Sequence, residues 1–422
     1  MDLRPYQNDS IELLRSEFKE NKRKVILQIP TGGGKTIIFS KMAQQIIKNG
    51  KRVLIICDRK ELIKQAKEKL NSFGLFPTLI IPKNKIIDNF IYLGSVDTLR
   101  RREFPKIDVL IVDEAHKQTF DPIILKYLEI NPDLFIIGAT ATPIRVGSQK
   151  SMHFIYDSIV SPVQIKNLIN DSFLVNCRTF SAKEDFSKLS INKGDFDISQ
   201  MYAKFNEAGL YDGMLKNYLK FASGLKTIIF NVNVEHSKNV TRQFNEAGIS
   251  AVHLDGNTPD GLRSKILEDF KNGVYTVLSN CSVLTTGFDE PSIQAVIINR
   301  ATTSLSLYLQ MCGRGSRIFK NKKDFIIIDQ GANVWRFGLW NEDREFSLFK
   351  KEKTKIGAQP VKICPSCEEI NPASARVCKT CGHFFEVKKK KLKESEFIEV
   401  TKVQKHNRKN LYDSGKVGTI GN

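Results

Sequence analysis

Short, nearly unbroken apolar runs alternate with longer amphipathic stretches along the chain. Val25–Pro30, Arg52–Asp58, Ile91–Gly94, Val109–Asp113 and Leu134–Gly138 are such runs, and between them Ile37–Lys48 and Lys60–Phe73 repeat apolar residues at helical spacing. Strands apolar on both faces and separated by helices predict a parallel sheet covered on both sides. A second series keeps the same rhythm, with strands at Thr227–Asn231, Ala251–Asp255, Thr276–Ser279, Ala295–Asn299 and Phe325–Asp329. His236–Ala247, ended by Gly248, and Leu262–Lys271, ended near Gly273, read as helices of that series. Residues 144–226 join the two series and are expected to hold helices and one strand near Val175–Phe180.

The predicted fold class is α/β, two tandem parallel-sheet domains of one architecture followed by a small four-cysteine module. The boundaries expected are 1–145 for the first domain and 146–349 for the joining helices and the second. A charged linker follows at 350–361, the cysteine module at 362–386, and a basic tail without periodicity at 387–422. A chain of 422 residues can support several separate cores.

Charge and cysteine usage alter this picture. Lys and Arg number 65 against 46 Asp and Glu, a net charge of +19, and such an excess favours a polyanionic partner through phosphate contacts and counterion release. Solubility alone is the plainer explanation of a basic chain. Residues 350–422 hold 17 Lys or Arg and 8 Asp or Glu, so the excess concentrates there. No apolar run approaches the ~20 residues of a membrane helix, and the opening MDLRPYQNDS lacks a signal-peptide pattern. No membrane association, a reducing cytoplasmic setting and a monomer are therefore expected. Cys57, Cys177, Cys281 and Cys312 are isolated and read as reduced core thiols. Cys364, Cys367, Cys378 and Cys381, spaced as CPSC, ten residues, then CKTC, instead suit a closed tetrahedral zinc site. His383 reads as a bystander.

Four motifs carry the chemistry. PTGGGKT at Pro30–Thr36 lies between a strand and a helix, the setting in which backbone N–H groups cradle phosphates. Thr31, Gly32, Gly33 and Gly34 would form the cradle, Lys35 would neutralise the outer phosphates, and Thr36 would bind Mg2+. Ile29 stands where the strict pattern has its first glycine. DEAH at Asp113–His116 ends a strand of buried character, where two acids are costly unless they hold a cation or work on a proton. Asp113 would bind Mg2+ and Glu114 would polarise the attacking water. TATP occupies Thr140–Pro143, and QMCGRGSR spans Gln310–Arg317. Arg314 and Arg317, three apart on an expected helix, would face one side and stabilise phosphoryl charge from the second domain.

In this combination the chain resembles a superfamily 2 helicase over roughly residues 3–330. The resemblance implies two RecA-like motor domains using ATP and Mg2+. LRPYQ at Leu3–Gln7 is similar to the adenine-reading segment, with Gln7 on the base edge. CDRKELIKQ at Cys57–Gln65 and GSVDTL at Gly94–Leu99 resemble strand-binding motifs, which implies nucleic-acid contacts for Arg59, Ser95 and Thr98. TATP resembles the segment coupling hydrolysis to movement through Thr140 and Thr142. TIIFN at Thr227–Asn231 and TTGFD at Thr285–Asp289 match second-domain motifs, with Thr285 facing the nucleic-acid backbone and Asp289 the ribose. QMCGRGSR fits the arginine-finger motif, with Gln310, Arg314 and Arg317 in register. NVWRFGLWNEDREFSL followed by four cysteines resembles the RadD-like repair helicases and related phage recombination helicases.

The expected function is thus an ATP-dependent DNA helicase acting on single-stranded, forked or branched DNA in repair, recombination or replication. An RNA helicase and an ATP-dependent clamp or adaptor stay open beside it. The zinc module or tail would engage DNA or a protein partner. Trp335, Phe337, Trp340, Phe346 and Phe349 are expected to pack under the second domain more than to stack on bases.

Overall fold

The computed structural model describes residues 2–58, 60–82, 84–145, 150–181, 184, 186, 188–192, 194–207, 210–285, 287–349 and 361–385, without the side chains of 60, 61, 207 and 210–212. The first sheet consists of β1 (Lys24–Gln28), β2 (Val53–Cys57), β3 (Thr78–Ile80), β4 (Ile91–Ser95), β5 (Val109–Asp113), β6 (Phe135–Thr140) and β7 (Ser158–Val160). Its order is β3-β4-β2-β5-β6-β1-β7, parallel throughout. Val53–Cys57 is buried at every position, as expected of a strand covered on both faces. Helices α1 (Pro5–Lys19), α2 (Lys35–Lys48), α3 (Lys60–Ser72), α4 (Val96–Leu99) and α5 (Asp121–Ile130) connect these strands.

After β7, α6 (Ile165–Asn170) leads to β8 (Asn176–Ser181), the edge strand of the second sheet. A hairpin, β9 (Ile191–Asn192) and β10 (Asp195–Phe196), and two helices, α7 (Ile198–Glu207) and α8 (Leu210–Phe221), come next. β11 (Thr227–Asn231), β12 (Ala251–Leu254), β13 (Val277–Asn280), β14 (Ala295–Asn299) and β15 (Asp324–Asp329) complete the sheet in the order β12-β13-β11-β14-β15-β8. Helices α9 (Val234–Glu246), α10 (Asp260–Lys271), α11 (Leu305–Cys312) and α12 (Asn333–Phe337) accompany it. The protein thus has two parallel-sheet α/β domains. One apolar cluster runs from Val25 and Leu27 in the first, through Leu168, Leu174 and Leu309, to Phe230 and Phe325 in the second.

A last hairpin, β16 (Val361–Ile363) with β17 (Ile370–Pro372), carries the cysteines. It does not stand off from the two α/β domains as a linker-separated module would. Ile370 packs with Val334 and Leu339 of the second domain, and Lys220 pairs with Glu368 at 2.5 Å. Trp340 and Phe337 are buried as core residues, Trp340 edge-on to Phe325 at 5.4 Å, whereas Phe349 is 66% exposed. The linker expected at 350–361 lies outside the described residues up to residue 360, as do residue 386 of the expected module and the whole tail expected at 387–422.

Candidate active site

The phosphate-loop segment turns because its glycines allow it. Gly32 and Gly34 have φ of +94° and +78°, a left-handed region that strains side-chain-bearing residues. A Cβ on Gly33 would lie 2.5 Å from Ile29 Cγ2, so the isoleucine packs under the loop. Gly34 caps α2, whose first residue is Lys35, leaving the loop's amides at a helix N-terminus. Gln7 is buried beside it, accepting from Arg4 N at 3.0 Å and donating to Gly33 O at 3.5 Å, while Tyr6 Oη donates to Gly33 O at 2.9 Å. The Arg4 guanidinium lies 4.3 Å from the Phe173 ring centroid next to this group.

Asp113 ends β5, and Glu114 follows with φ +55°. A non-glycine residue there costs about 1 kcal/mol or more, and the turn aims the carboxylate across the loop. Lys35 Nζ donates to Glu114 Oε1 at 2.7 Å. Burial works against the Glu114 charge, but Lys35 and its neighbours hold the carboxyl well below its usual range. Burial acts the same way on Asp113 and there prevails, raising it to about 6 against the pull of Lys35. Burial would lower Lys35, yet the two carboxylates raise it. One acid is thereby kept fully charged beside a cation and the other sits nearer neutrality.

The second domain reaches the same place. Arg317 Nη1 donates to Gly32 O at 2.6 Å and its Nε pairs with Asp289 at 3.0 Å. Arg314 Nη2 donates to Thr285 O at 2.6 Å, and its Nη1 to Phe288 O. These two arginines do not share a helix face. α11 ends at Cys312, Gly313–Gly315 forms a 3-10 turn, and Arg317 lies beyond it. Gly315 sits against Phe325, where a Cβ would overlap the ring, so the chain leaves the helix to pass the aromatic. Arg314 is thus turned toward the Thr285 loop and Arg317 toward the phosphate loop.

A polar chain spans the cleft between these groups. His116 Nδ1 lies 2.8 Å from Thr140 Oγ1, which accepts from Thr142 N at 3.1 Å. Thr142 Oγ1 donates to Ser306 Oγ of α11 at 2.6 Å, and Ser306 lies 3.4 Å from His116 Nε2. Gln310 Nε2 is 3.4 Å from both Ser306 Oγ and Glu114 Oε2. Burial lowers His116 to about 4, so it is neutral near pH 7. Gln65 of α3 donates to Gly287 O as a further bond between the domains.

Ser95 caps α4, its Oγ accepting from Thr98 N at 3.3 Å and donating to Thr98 Oγ1 at 2.8 Å. Val96, Asp97 and Arg100 beside them line a cavity with His116, Ser306 and Gln310. Arg59 lies outside the described residues. Sequence reasoning gave no role to Ser306, nor to Arg145, whose guanidinium makes a buried two-pronged pair with Asp121 (2.6 and 2.9 Å) and donates to His116 O at 3.1 Å. Arg145 follows TATP by two residues, a position that gave a signal only once the fold placed it under His116.

In the C-terminal hairpin the sulfurs of Cys364, Cys367, Cys378 and Cys381 all lie within 4.8 Å of one another, with Cys364–Cys381 at 3.6 Å and Cys367–Cys378 at 3.7 Å. A tetrahedron with metal–sulfur bonds of ~2.3 Å has edges of about 3.8 Å, so the donor set fits zinc. Asn371 Nδ2 donates to Cys378 Sγ at 3.5 Å, an outer-shell bond of the kind that orients a thiolate.

Residues 1–145 match the family model for the type III restriction enzyme res subunit, and 212–319 match the helicase conserved C-terminal domain. These contain the two halves of the composite site. The chain belongs to the superfamily 2 helicases. This helicase is an ATP-hydrolysing enzyme. It is 32% identical over 394 residues to a 51.5 kDa protein of Lactococcus phage (isolate 7-9), covering 90% of this chain and 83% of that one. It is 30% identical to the putative ATP-dependent helicase IRC3 of Saccharomyces cerevisiae over 78% of this chain, but spans only 51% of the yeast protein. It is also 24% identical to the ATP-dependent RNA helicase eIF4A of Lodderomyces elongisporus over 70% of this chain and 74% of that one. A fragment of a putative HsdR subunit of a type I restriction enzyme from Vibrio vulnificus YJ016 shares the fold, with TM-score 0.59 at 21% identity, over 78% of this helicase and 64% of the fragment. Among its described residues no helix is long and apolar enough to cross a membrane.

Proposed function

We propose that this helicase uses ATP to move along and separate strands of forked or branched DNA, in the manner of the RadD-like repair helicases. The observation that carries the reading is Arg317 of the second domain bonded to Gly32 of the phosphate loop, opposite the Lys35–Glu114 pair. A site shared between two domains links the state of the nucleotide to their relative position. Thr36 and Asp113 would hold Mg2+, which would neutralise phosphate charge. Glu114 would orient and polarise the attacking water, and Arg317 with Gln310 would meet the charge that develops on the transferred group. Gln7 would read the adenine edge, and Asp289 the ribose. Thr140 and Thr142 would pass the change at Glu114 to α11 through Ser306.

The match to a restriction-enzyme model over the first domain supports DNA over RNA, and the four-thiolate cluster supports a structural Zn2+. An ATPase and unwinding assay with single-stranded DNA, forked DNA and RNA tests the reading. Forked DNA should be unwound with ATP and should stimulate turnover most. Stimulation by RNA alone would move the substrate to RNA, and failure of any nucleic acid to stimulate would favour a clamp.

A further inference from the structure

Among the described residues, two segments cross between the two domains. Residues 161–175 carry it from β7 of the first sheet to β8 of the second, and residues 338–349 bring it back from α12. The two crossings are bonded side by side. Gln164 Nε2 donates to Arg344 O at 3.2 Å, Arg344 N donates to Gln164 Oε1 at 3.2 Å, and Lys166 pairs with Asp343 at 3.0 Å. The Arg344 guanidinium turns inward onto the carbonyls of Phe337, Leu339, Trp340 and Glu342. Four charge-assisted bonds fix the returning segment in one shape.

Both ends of that segment are anchored. Leu348 is buried within the first domain's core alongside Ile26, Met152 and Ile155, its carbonyl accepts from His153 N at 3.1 Å, and Phe349 stacks on the His153 ring at 4.7 Å. At the other end Trp340 is 1% exposed and stands beside Gly313, the start of the turn that bears Arg314 and leads to Arg317. A Cβ on Gly313 would lie 2.9 Å from Thr31 Cγ2 of the phosphate loop and 3.7 Å from Trp340 Nε1. The arginine-bearing turn is therefore held between the phosphate loop and the root of the returning segment.

A single covalent crossing would leave two domains free to swivel. A second, non-covalent crossing beside it leaves rotation about their common line as the easy motion. We propose that residues 340–349 form a strap that holds the motor domains near their closed arrangement before nucleic acid binds, keeping Arg317 and Gln310 in register with the phosphate loop. Leu348 and Gln164 act as positioning residues, through the domain arrangement and not through contact with ATP. The proposal rests on the ATP-driven motor reading above.

The test uses the full chain carrying one fluorophore on each motor domain, with Leu348→Ala, Gln164→Ala and the conservative Leu348→Met. Releasing the strap should broaden the interdomain distance distribution and raise KM for ATP. Turnover without nucleic acid should fall about tenfold, and saturating nucleic acid, which bridges the domains itself, should restore it to within about twofold. Leu348→Met should behave as the unsubstituted chain. Basal and stimulated turnover falling equally along with Tm would reduce Leu348 to a packing residue, and an unchanged distance distribution in both alanine variants would overturn the strap. Distance and basal turnover need no nucleic acid, so a protein that no DNA or RNA stimulates refutes the motor reading while these two readouts still judge the strap. Gln164 lies outside the core, so its variant remains informative if Leu348→Ala folds poorly.

Discussion

At the scale of single residues, charge placement decides the chemistry. Glu114 sits in a left-handed turn and keeps its charge against burial because Lys35 is 2.7 Å away. Glu114→Gln keeps the shape but removes the carboxylate proposed to polarise the attacking water, so ATP should still bind while turnover falls by orders of magnitude; near-normal turnover in a steady-state assay would take the role from Glu114. Arg317→Ala should leave ATP affinity within a few-fold and cost about 10³ in turnover, which nucleotide-binding and single-turnover measurements separate. His116 titrates from 6.5 unfolded to about 4 folded because it is enclosed. Between those values the unfolded chain binds the extra proton, so the stability contributed by this group is present above 6.5 and fades as pH falls to about 4. The stability gap between the unsubstituted chain and His116→Gln should shrink over that window in denaturant titrations, and a constant gap would refute the neutral ring. The motif residues were legible because phosphate and acid chemistry restricts which side chains can serve and at what spacing. Ser306 and Arg145 were not, since Ser306 gains meaning only from Thr142, 164 positions away.

At the scale of elements, patterning worked where burial is two-sided. The strands at Val109–Asp113, Thr227–Asn231 and Ala295–Asn299 were readable to the residue because both faces are apolar. Thr78–Ile80 and Ser158–Val160 escaped, being three-residue strands at sheet edges with only partial burial. The arginine-bearing segment was read as helix for a related reason. Nothing local in GRGSR announces that Gly315 must clear Phe325. Cysteine spacing announced a four-sulfur cluster, but not that its hairpin would rest on the second domain through Ile370 and Glu368. A hairpin this small has little core of its own, so thiolate ligation is expected to hold it folded. Chelation, or Cys378→Ser, should therefore raise amide exchange across 361–385 and in α12, while ATP turnover without DNA changes by less than about twofold. Exchange that does not respond to chelation would count against a structural metal.

At the scale of the whole molecule, two similar sheets become a motor only through what passes between them. The polar chain from Glu114 through His116, Thr140, Thr142 and Ser306 to Gln310 offers one route, since each member meets the next and the Thr142–Ser306 and Gln310–Glu114 bonds join the two domains. Ser306→Ala removes the shared hydroxyl without touching the phosphate loop. ATP hydrolysis should persist at a reduced rate, and the ATP consumed per base pair unwound should rise. The nucleic-acid side is proposed from the chain's +19 charge and from the motifs expected to face the strand, which offer hydroxyls, amides and cations but no helix shaped for a major groove. Binding should then depend on phosphate neutralisation and scarcely on base sequence. Each phosphate contact contributes about −0.7 to the log–log salt slope for a single strand, so a footprint of several phosphates predicts affinity falling by orders of magnitude between low and moderate salt. Titrations with fluorescent homopolymer and mixed-sequence DNA at stepped salt measure this directly. A flat salt response, or strong preference for one base sequence, would mean that the strand is held by base recognition, which a motor stepping along arbitrary DNA cannot use.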